Sequence, residues 1–284
     1  MNTSYRKERY SRCPGFQLTY TAGPGAGGST LDYPHTTVVP ILIYFLQGKG
    51  NLLVEGTRYE LHDGDAVLLT PGELFHCQIS NDAYHERIVL HFRKEDYKTL
   101  PCDTTSLFDA FEKRAYGTCN LIPASIMEAT GLSSRLTELL SSIRQDTPQD
   151  HLRAFCSAAQ ILSCLSDAQS RGSAAPSKET PLVEEIRSYL TQHATEQISM
   201  DTVAQHFGLS KSYLSHLFRQ QVGMSVWNYV ILRRLHQFNE LLRKGHTIEA
   251  ACYGVGFQNY SNFYRLYKKH TGIMPTQYKQ QLEK

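Results

Sequence analysis

The sequence predicts two folds in one chain: an N-terminal antiparallel β-barrel with trailing α-helices, then an all-α domain built on two helix–turn–helix units. Three observations carry this. The spacing of apolar residues changes from about two to about 3.6 near Ser106. The stretch QSRGSAAPSKET, residues 169–180, has no apolar periodicity. Beyond it the chain repeats itself at an offset of 48–49 residues. The expected domains are therefore 1–168, a linker at 169–180, and 181–284.

In the first domain, short runs rich in Val, Ile, Tyr and Phe occupy 38–47, 51–54, 58–61, 66–69, 75–79 and 85–92, after a first run that opens at Phe16. GKG at 48–50, Glu55-Gly56, HDGD at 62–65, Pro71-Gly72 and Asn81-Asp82 separate them, the spacing of a barrel or sandwich. Helices follow. Leu132, Leu136, Leu139, Leu140 and Ile143 share one helical face, and Leu152, Phe155, Cys156, Ala159 and Leu162 another. These helices either cover the open side of the barrel or form a dimer seam.

After the linker, Thr180 is placed to cap a helix with Pro181 at its first position. Ser199 caps a short helix holding Val203, Ala204 and Phe207; Gly208 turns the chain and Ser210 caps the next helix. The second copy repeats this with Cys252 for Ala204, Gly256 for Gly208, and one extra residue in the turn. In the second helix of each copy, Leu214, Leu217 and Phe218, or Phe263, Leu266 and Tyr267, face inward. Opposite them lie Ser212, His216 and Arg219, flanked by Ser215, and Ser261, Arg265 and Lys268, flanked by Tyr260 and Tyr264. Such acid-free faces suit a DNA major groove. Between the copies, residues 226–244 read as a continuous helix of about 28 Å, comparable to the roughly 34 Å between successive major grooves. Its stripe includes Trp227, Val230, Leu235 and Phe238, with Asn239 on the exposed side. Arg233 and Arg234 read either as phosphate contacts or as a solvated face.

Charge agrees with that division. The chain has 284 residues, 41% hydrophobic and 20% charged, which excludes a mainly disordered state. Residues 181–284 hold 12 Lys and Arg against 7 Asp and Glu, a net of +5, while residues 1–180 are net −3. A polyanion partner is thus expected for the second domain alone. The longest apolar run, 38–46, is nine residues and contains Pro40, too short for a membrane span. Arg6, Lys7, Glu8 and Arg9 have no apolar segment behind them, so a cytoplasmic chain is expected. Seven cysteines without a CxxC spacing read as reduced, mostly buried thiols.

The stretches LSKSYLSHLFRQQVGMS and VGFQNYSNFYRLYKKHTGIMP resemble the two helix–turn–helix units of the AraC/XylS family of bacterial transcription regulators. The resemblance covers residues 181–284 and is most specific at Gly256-Phe257, Phe263, Arg265, Lys268-Lys269, Gly272 and Pro275. It implies that Ser212, Ser215 and His216 face bases in one groove and Tyr260, Ser261, Tyr264 and Arg265 in the next. Arg219, Lys268 and Lys269 would contact phosphates. His216 stands where the family often has Arg.

A looser match, through Tyr44, GKG, Tyr59, Gly64-Asp65, Pro71 and His76, makes the first domain resemble the cupin-like sensor of such regulators. That implies a small-molecule effector, a homodimer, and RNA polymerase as a partner if the regulator is an activator. For the effector, His35, Tyr44 and His76 are the candidate contacts, suited to a sugar or similar polar metabolite. The alternative is that Tyr44 points outward and His76 is a satisfied barrel histidine. A cupin-type metalloenzyme with a fused DNA-binding tail is the rival function. It needs about three imidazoles and a carboxylate on one metal, whereas His35 lacks an HxH partner. No metal, cofactor or catalytic residue is expected. A ligand-insensitive architectural DNA binder is the third reading.

Overall fold

A computed structural model describes residues 6–24, 35–55, 57–79, 84–114, 116–143, 147–172, 180–271 and 273–282. The chain divides into two compact units, one built mainly from residues up to 172 and the other mainly from 180–282.

The chain opens with β1 (Arg6–Tyr10), β2 (Phe16–Pro24), β3 (His35–Thr36), β4 (Ile41–Gln47), β5 (Gly50–Val54), β6 (Thr57–Leu61), β7 (Ala66–Leu69), β8 (Leu74–Ile79) and β9 (Tyr84–Phe92). Then come α1 (Lys94–Tyr97), α2 (Asp109–Glu112), β10 (Leu121–Ile122), α3 (Ala124–Ala129), α4 (Leu132–Ile143) and α5 (Pro148–Arg171). The strands form an antiparallel six-stranded sheet, β1-β2-β9-β4-β7-β10, and a four-stranded sheet, β3-β8-β5-β6. Among the described residues the sheets do not close into the expected barrel. One edge, β1, is charged at four of its five residues, and the other edge, β10, is only two residues long. Neither extends a ladder further. The strand β4 starts after Pro40, which has no N–H; its carbonyl instead accepts from Phe92 N at 2.9 Å.

Alternation along the six-stranded sheet turns Phe16, Leu18, Tyr20 and Ala22 of β2, with Leu42 and Tyr44 of β4, toward a core shared with α3, α4 and α5. The five apolar residues expected on α4 are all buried there. On α5 the buried stripe is Ala154, Ala158, Ile161, Leu162, Leu165 and Ala168. This corrects the expected face: Leu152 is 65% exposed and Cys156 is exposed. Larger residues at 152 and 156 drew the reading one position off, but the close α4–α5 crossing takes the small Ala154 and Ala158 instead. Three of the seven thiols are buried, Cys13, Cys77 and Cys252, fewer than expected.

The helix α5 also runs three residues into the stretch assigned to the linker. Gln169 anchors this last turn by donating to the carbonyls of Ala110 and Cys119, each at 3.1 Å, and Arg171 pairs with Asp167 at 3.0 Å. Residues 173–179 of that stretch lie outside the described residues.

A buried ion pair holds the segment before β10. The Glu73 carboxylate accepts from Arg114 Nη1 and Nη2 at 2.7 and 2.6 Å, from Thr70 N at 2.7 Å and from Gly117 N at 2.9 Å. Asn120 adds its amide at 3.2 Å, so a fully buried charge is matched in both sign and hydrogen bonds.

The second unit is helical: α6 (Pro181–Gln192), α7 (Met200–His206), α8 (Lys211–Val222), α9 (Val226–Arg243), α10 (Ile248–Gly254), α11 (Tyr260–Thr271) and α12 (Pro275–Leu282). Ser199 and Ser210 cap α7 and α8 as expected, each accepting a backbone N–H at 3.2 Å. Thr180 precedes Pro181, but its side chain does not cap α6; its N and Oγ1 donate to Gln221 Oε1 at 3.1 and 3.0 Å, tying the helix start to α8.

The helix α9 is the centre of the unit, covered well beyond one stripe, and this overturns three expectations. Asn239 is 3% exposed and accepts from Tyr267 Oη at 2.8 Å. Arg233 and Arg234 are buried, so neither is a phosphate contact or a solvated residue. Conversely, Trp227, expected on the buried stripe, is 46% exposed. Helices pack on α9 from several directions, so a single apolar stripe could not reveal how much of it is covered.

Candidate nucleic-acid interface and effector face

The two helix–turn–helix units are α7–α8 and α10–α11. Four residues separate the helices of the first and five those of the second, the extra residue that shifts the repeat offset from 48 to 49. The N-cap of α11 is Asn259, whose Oδ1 accepts from Asn262 N at 2.8 Å.

Arg234 of α9 fastens the second unit to the connection that precedes the first. Its Nε donates to the carbonyl of Ala194 at 2.6 Å, Nη2 to Glu196 at 2.8 Å and Nη1 to Gly256 at 2.9 Å. One guanidinium therefore links the α6–α7 connection to the turn of the second unit. Its carbon also lies 5.6 Å from the Trp227 ring centre and 5.7 Å from that of Phe257. Burial pushes the pKa of Arg233 down to about 10 and that of Arg234 below its usual value.

On α8, Leu214, Phe218 and Val222 are buried, leaving Ser212, Ser215, His216 and Arg219 exposed together. On α11, Phe263 and Tyr267 are buried, and Ser261, Arg265, Lys268 and Lys269 are exposed. Tyr260 and Tyr264 differ from these. They are half-buried, their rings are 5.1 Å apart, and both pack on Phe263, at 6.3 and 6.1 Å. Burial, together with a hydrogen bond to Tyr264, raises the pKa of the Tyr260 hydroxyl. Part of each tyrosine thus shapes the helix, and only the rest faces outward.

Among the described residues, Arg219, Arg265, Lys268 and Lys269 hold no ion pair, so their charge is directed at solvent or a ligand. Lys211, by contrast, pairs with Asp201 at 2.6 Å. Sequence reasoning passed over Tyr213, Gln220 and Asn262, which are also exposed on these helices. Helical projection places them on the same outward faces.

In the first unit, Tyr44 lies on the helix-facing side of its sheet, opposite Ala66 and Ile88. Burial and the Glu128 carboxylate of α3 raise its pKa. Tyr44 is thus buried in the core between its sheet and the helices, not turned to solvent, and it does not belong to the opposite face of β4. His76 is buried on β8. The backbone of His35 belongs to β3, and its side chain lies outside the described residues.

That opposite face carries polar groups that sequence reasoning missed. Thr19 and Thr21 of β2 stand against Val89 and Arg87 of β9, and Gln17 stands against His91. Phe45 of β4 lies across from Arg87, and Ile43 from Val89. Thr19, Thr21, His85 and Arg87 are all buried. The available signal was the alternation of polar with large apolar residues along 16–22 and 85–92.

Residues 33–179 match a family described as the AraC-like ligand-binding domain, and residues 203–281 match one described as a helix-turn-helix domain. The chain is 29% identical over 248 residues to the arabinose operon regulatory protein of Salmonella typhimurium, covering 84% of this chain and 83% of the relative. It is 27% identical over 244 residues to the arabinose operon regulatory protein of Escherichia coli, covering 84% and 80%. The Msm operon regulatory protein of Streptococcus mutans is 21% identical over 256 residues, covering 86% and 84%.

Proposed function

The chain belongs to the AraC family of DNA-binding transcription regulators with an N-terminal ligand-binding domain, and from that premise we propose how it works. It is a cytoplasmic, non-catalytic homodimer that binds double-stranded DNA through α8 and α11. An effector on the first unit shifts the population of DNA-competent arrangements, and RNA polymerase is the partner where the outcome is activation. A sugar or related polar metabolite is the effector, a reading supported by relatives named for the arabinose operon.

The observation that carries the proposal is the doubled recognition surface. Two twelve-residue helices each bury aromatic or aliphatic residues on one side and expose an acid-free polar face on the other. Ser212, Ser215 and His216 read bases in one groove; Tyr260, Ser261, Tyr264 and Arg265 read the next. Arg219, Lys268 and Lys269 hold phosphates. The dimer contact uses α5, whose Leu152 is the largest apolar residue it leaves exposed.

A footprint of the full chain on the promoter beside its own gene tests this, with and without a sugar panel. Protection of two adjacent major-groove segments per protomer, altered by one sugar, is the expected result. Equal affinity for promoter and random DNA would overturn it.

A further inference from the structure

The two reading helices differ in what flanks their polar faces. At about 100° per residue, the outward face of α11 centres on Ser261 and Arg265. Tyr260 and Tyr264 form one shoulder of that face, between the buried Phe263 and Tyr267 and the exposed Ser261 and Lys268. Both tyrosines are half-buried, so part of each ring is open to a ligand. At the repeat offset of 49 residues, the same shoulder of α8 holds Lys211 and Ser215, both exposed, and Lys211 is paired with Asp201 at 2.6 Å. An aromatic pair therefore stands where the first unit has a lysine and a serine. The neighbouring position is serine in both, Ser212 and Ser261.

The pair forms a rigid, mainly apolar wall. Its ring centres are 5.1 Å apart with planes inclined at 48°, and both rings rest on the fully buried Phe263, at 6.3 and 6.1 Å. Rings held in this way lose little further side-chain entropy on meeting a ligand. The Tyr260 hydroxyl is hydrogen-bonded to Tyr264, so polar capacity of one ring is already spent on the other. In the major groove, thymine alone presents an apolar group, its C5-methyl; the other base features there are donors or acceptors. A ring edge gains by covering that methyl and has no matching partner on cytosine, which offers an amino donor instead. The N-terminal part of a recognition helix is what reaches base edges, and Tyr260 and Tyr264 both lie there, with Arg265 beside them. We infer that the Tyr260–Tyr264 pair reads a thymine methyl, at a base pair next to the guanine for which the Arg265 fork is suited. This rests on the reading of α11 as a major-groove helix, and it narrows what that helix recognises.

The test starts with the full chain selecting duplexes from a random-sequence pool. The half-site of α11 is then the one whose guanine preference disappears in Arg265→Ala. Each thymine of that half-site is replaced singly by deoxyuridine, which removes the methyl and nothing else. One replacement, beside the guanine, should weaken binding by about 3- to 5-fold in Kd. Tyr264→Ser should bind the thymine and uracil duplexes equally, whereas Tyr264→Phe should keep the difference. Two duplexes are compared on one protein, so a variant of lowered overall affinity still gives a ratio, which a purely structural role for Tyr264 would leave unchanged. If Tyr264→Ser does not fold by circular dichroism, the deoxyuridine series on the unaltered chain decides alone. A half-site without a methyl-sensitive thymine, or Tyr264→Ser retaining the difference, would overturn the inference and leave the DNA-reading role of α11 standing. A pool that enriches no sequence would overturn both.

Discussion

The helices α8 and α11 are each twelve residues long, each is capped by a short polar side chain, and each buries aromatic or branched residues against α9. They differ in the charge they present. The lysine at the start of α8 is neutralised by Asp201, which leaves Arg219 as its exposed cation without an ion pair among the described residues. Arg265, Lys268 and Lys269 are all exposed on α11, the last two in its C-terminal turn, where the helix dipole favours positive charge. The turns differ too. Gly208 and Gly256 both adopt positive φ, at 65° and 88°. A Cβ on Gly208 would meet nothing within 4 Å, whereas one on Gly256 would lie 2.5 Å from the Thr195 carbonyl oxygen. One repeat thus presents a single exposed arginine without an ion pair, among the described residues, on a loosely packed turn. The other presents three exposed cations on a turn wedged into the rest of the unit.

Removing Arg234 should break this comparison most severely. If the units were independent modules, Arg234→Ala would weaken one of them. The guanidinium instead satisfies carbonyls of both the α6–α7 connection and the second turn, so the whole helical unit should lose about 3–5 kcal/mol, read from urea unfolding. Loss confined to the second unit, by hydrogen exchange, would contradict it.

Acid should act on both units alike as well. Burial, opposed by Glu240 and assisted by Arg233 and Arg243, lowers the pKa of His236 from its ordinary 6.5 to about 4. Between those values the unfolded chain binds a proton that the folded chain refuses. Stability is therefore full above about pH 6.5 and falls as pH drops toward 4, by up to about 3 kcal/mol. Replacing His236 by Leu should flatten that dependence in thermal melts across the window.

The turns separate the units. Gly256→Ala must displace backbone as well as strain it, and should cost about 3 kcal/mol; Gly208→Ala should cost about 1–2, from the left-handed conformation alone. Equal melting temperatures for the two variants would remove the distinction.

For base reading, Arg265→Ala and His216→Ala should each cost about 1–3 kcal/mol at one base pair, at different positions in the site. A uniform loss over all sequences would reassign either residue to phosphate contact. The smallest effect is on salt dependence. Lys268→Ala should reduce the slope of log K against log salt by about 0.9, and Lys268→Ala with Lys269→Ala by about 1.8. Arg219→Ala should change it by only about 0.9, so α11 outweighs α8 if two-to-one slopes are observed.

Local chemistry accounts for what was legible in advance. Each strand expected at 58–61, 66–69, 75–79 and 85–92 is found within one residue of those bounds, because alternation and turn residues act over a few positions. The caps Ser199 and Ser210, and the outward set on α8, follow from helical spacing for the same reason. Failures came where an environment depends on distant partners. Helix spacing orders Asn239, Arg234 and Leu152 around an axis but does not say how many neighbours surround it. Glu73 and Arg114 are 41 residues apart, and neither announces a buried pair.

Periodicity, caps and charge asymmetry in the chain were enough to establish a sheet-rich unit followed by a doubled, basic helix–turn–helix unit, because each is a property of neighbouring residues. Only tertiary packing decided that the sheets stay open among the described residues, that α9 is a core helix clamped by Arg234, and that Tyr44 faces helices while Arg87 faces away from them. Those outcomes depend on strand register and on which elements meet, and a one-residue change of register would have exchanged the two faces of the sheet.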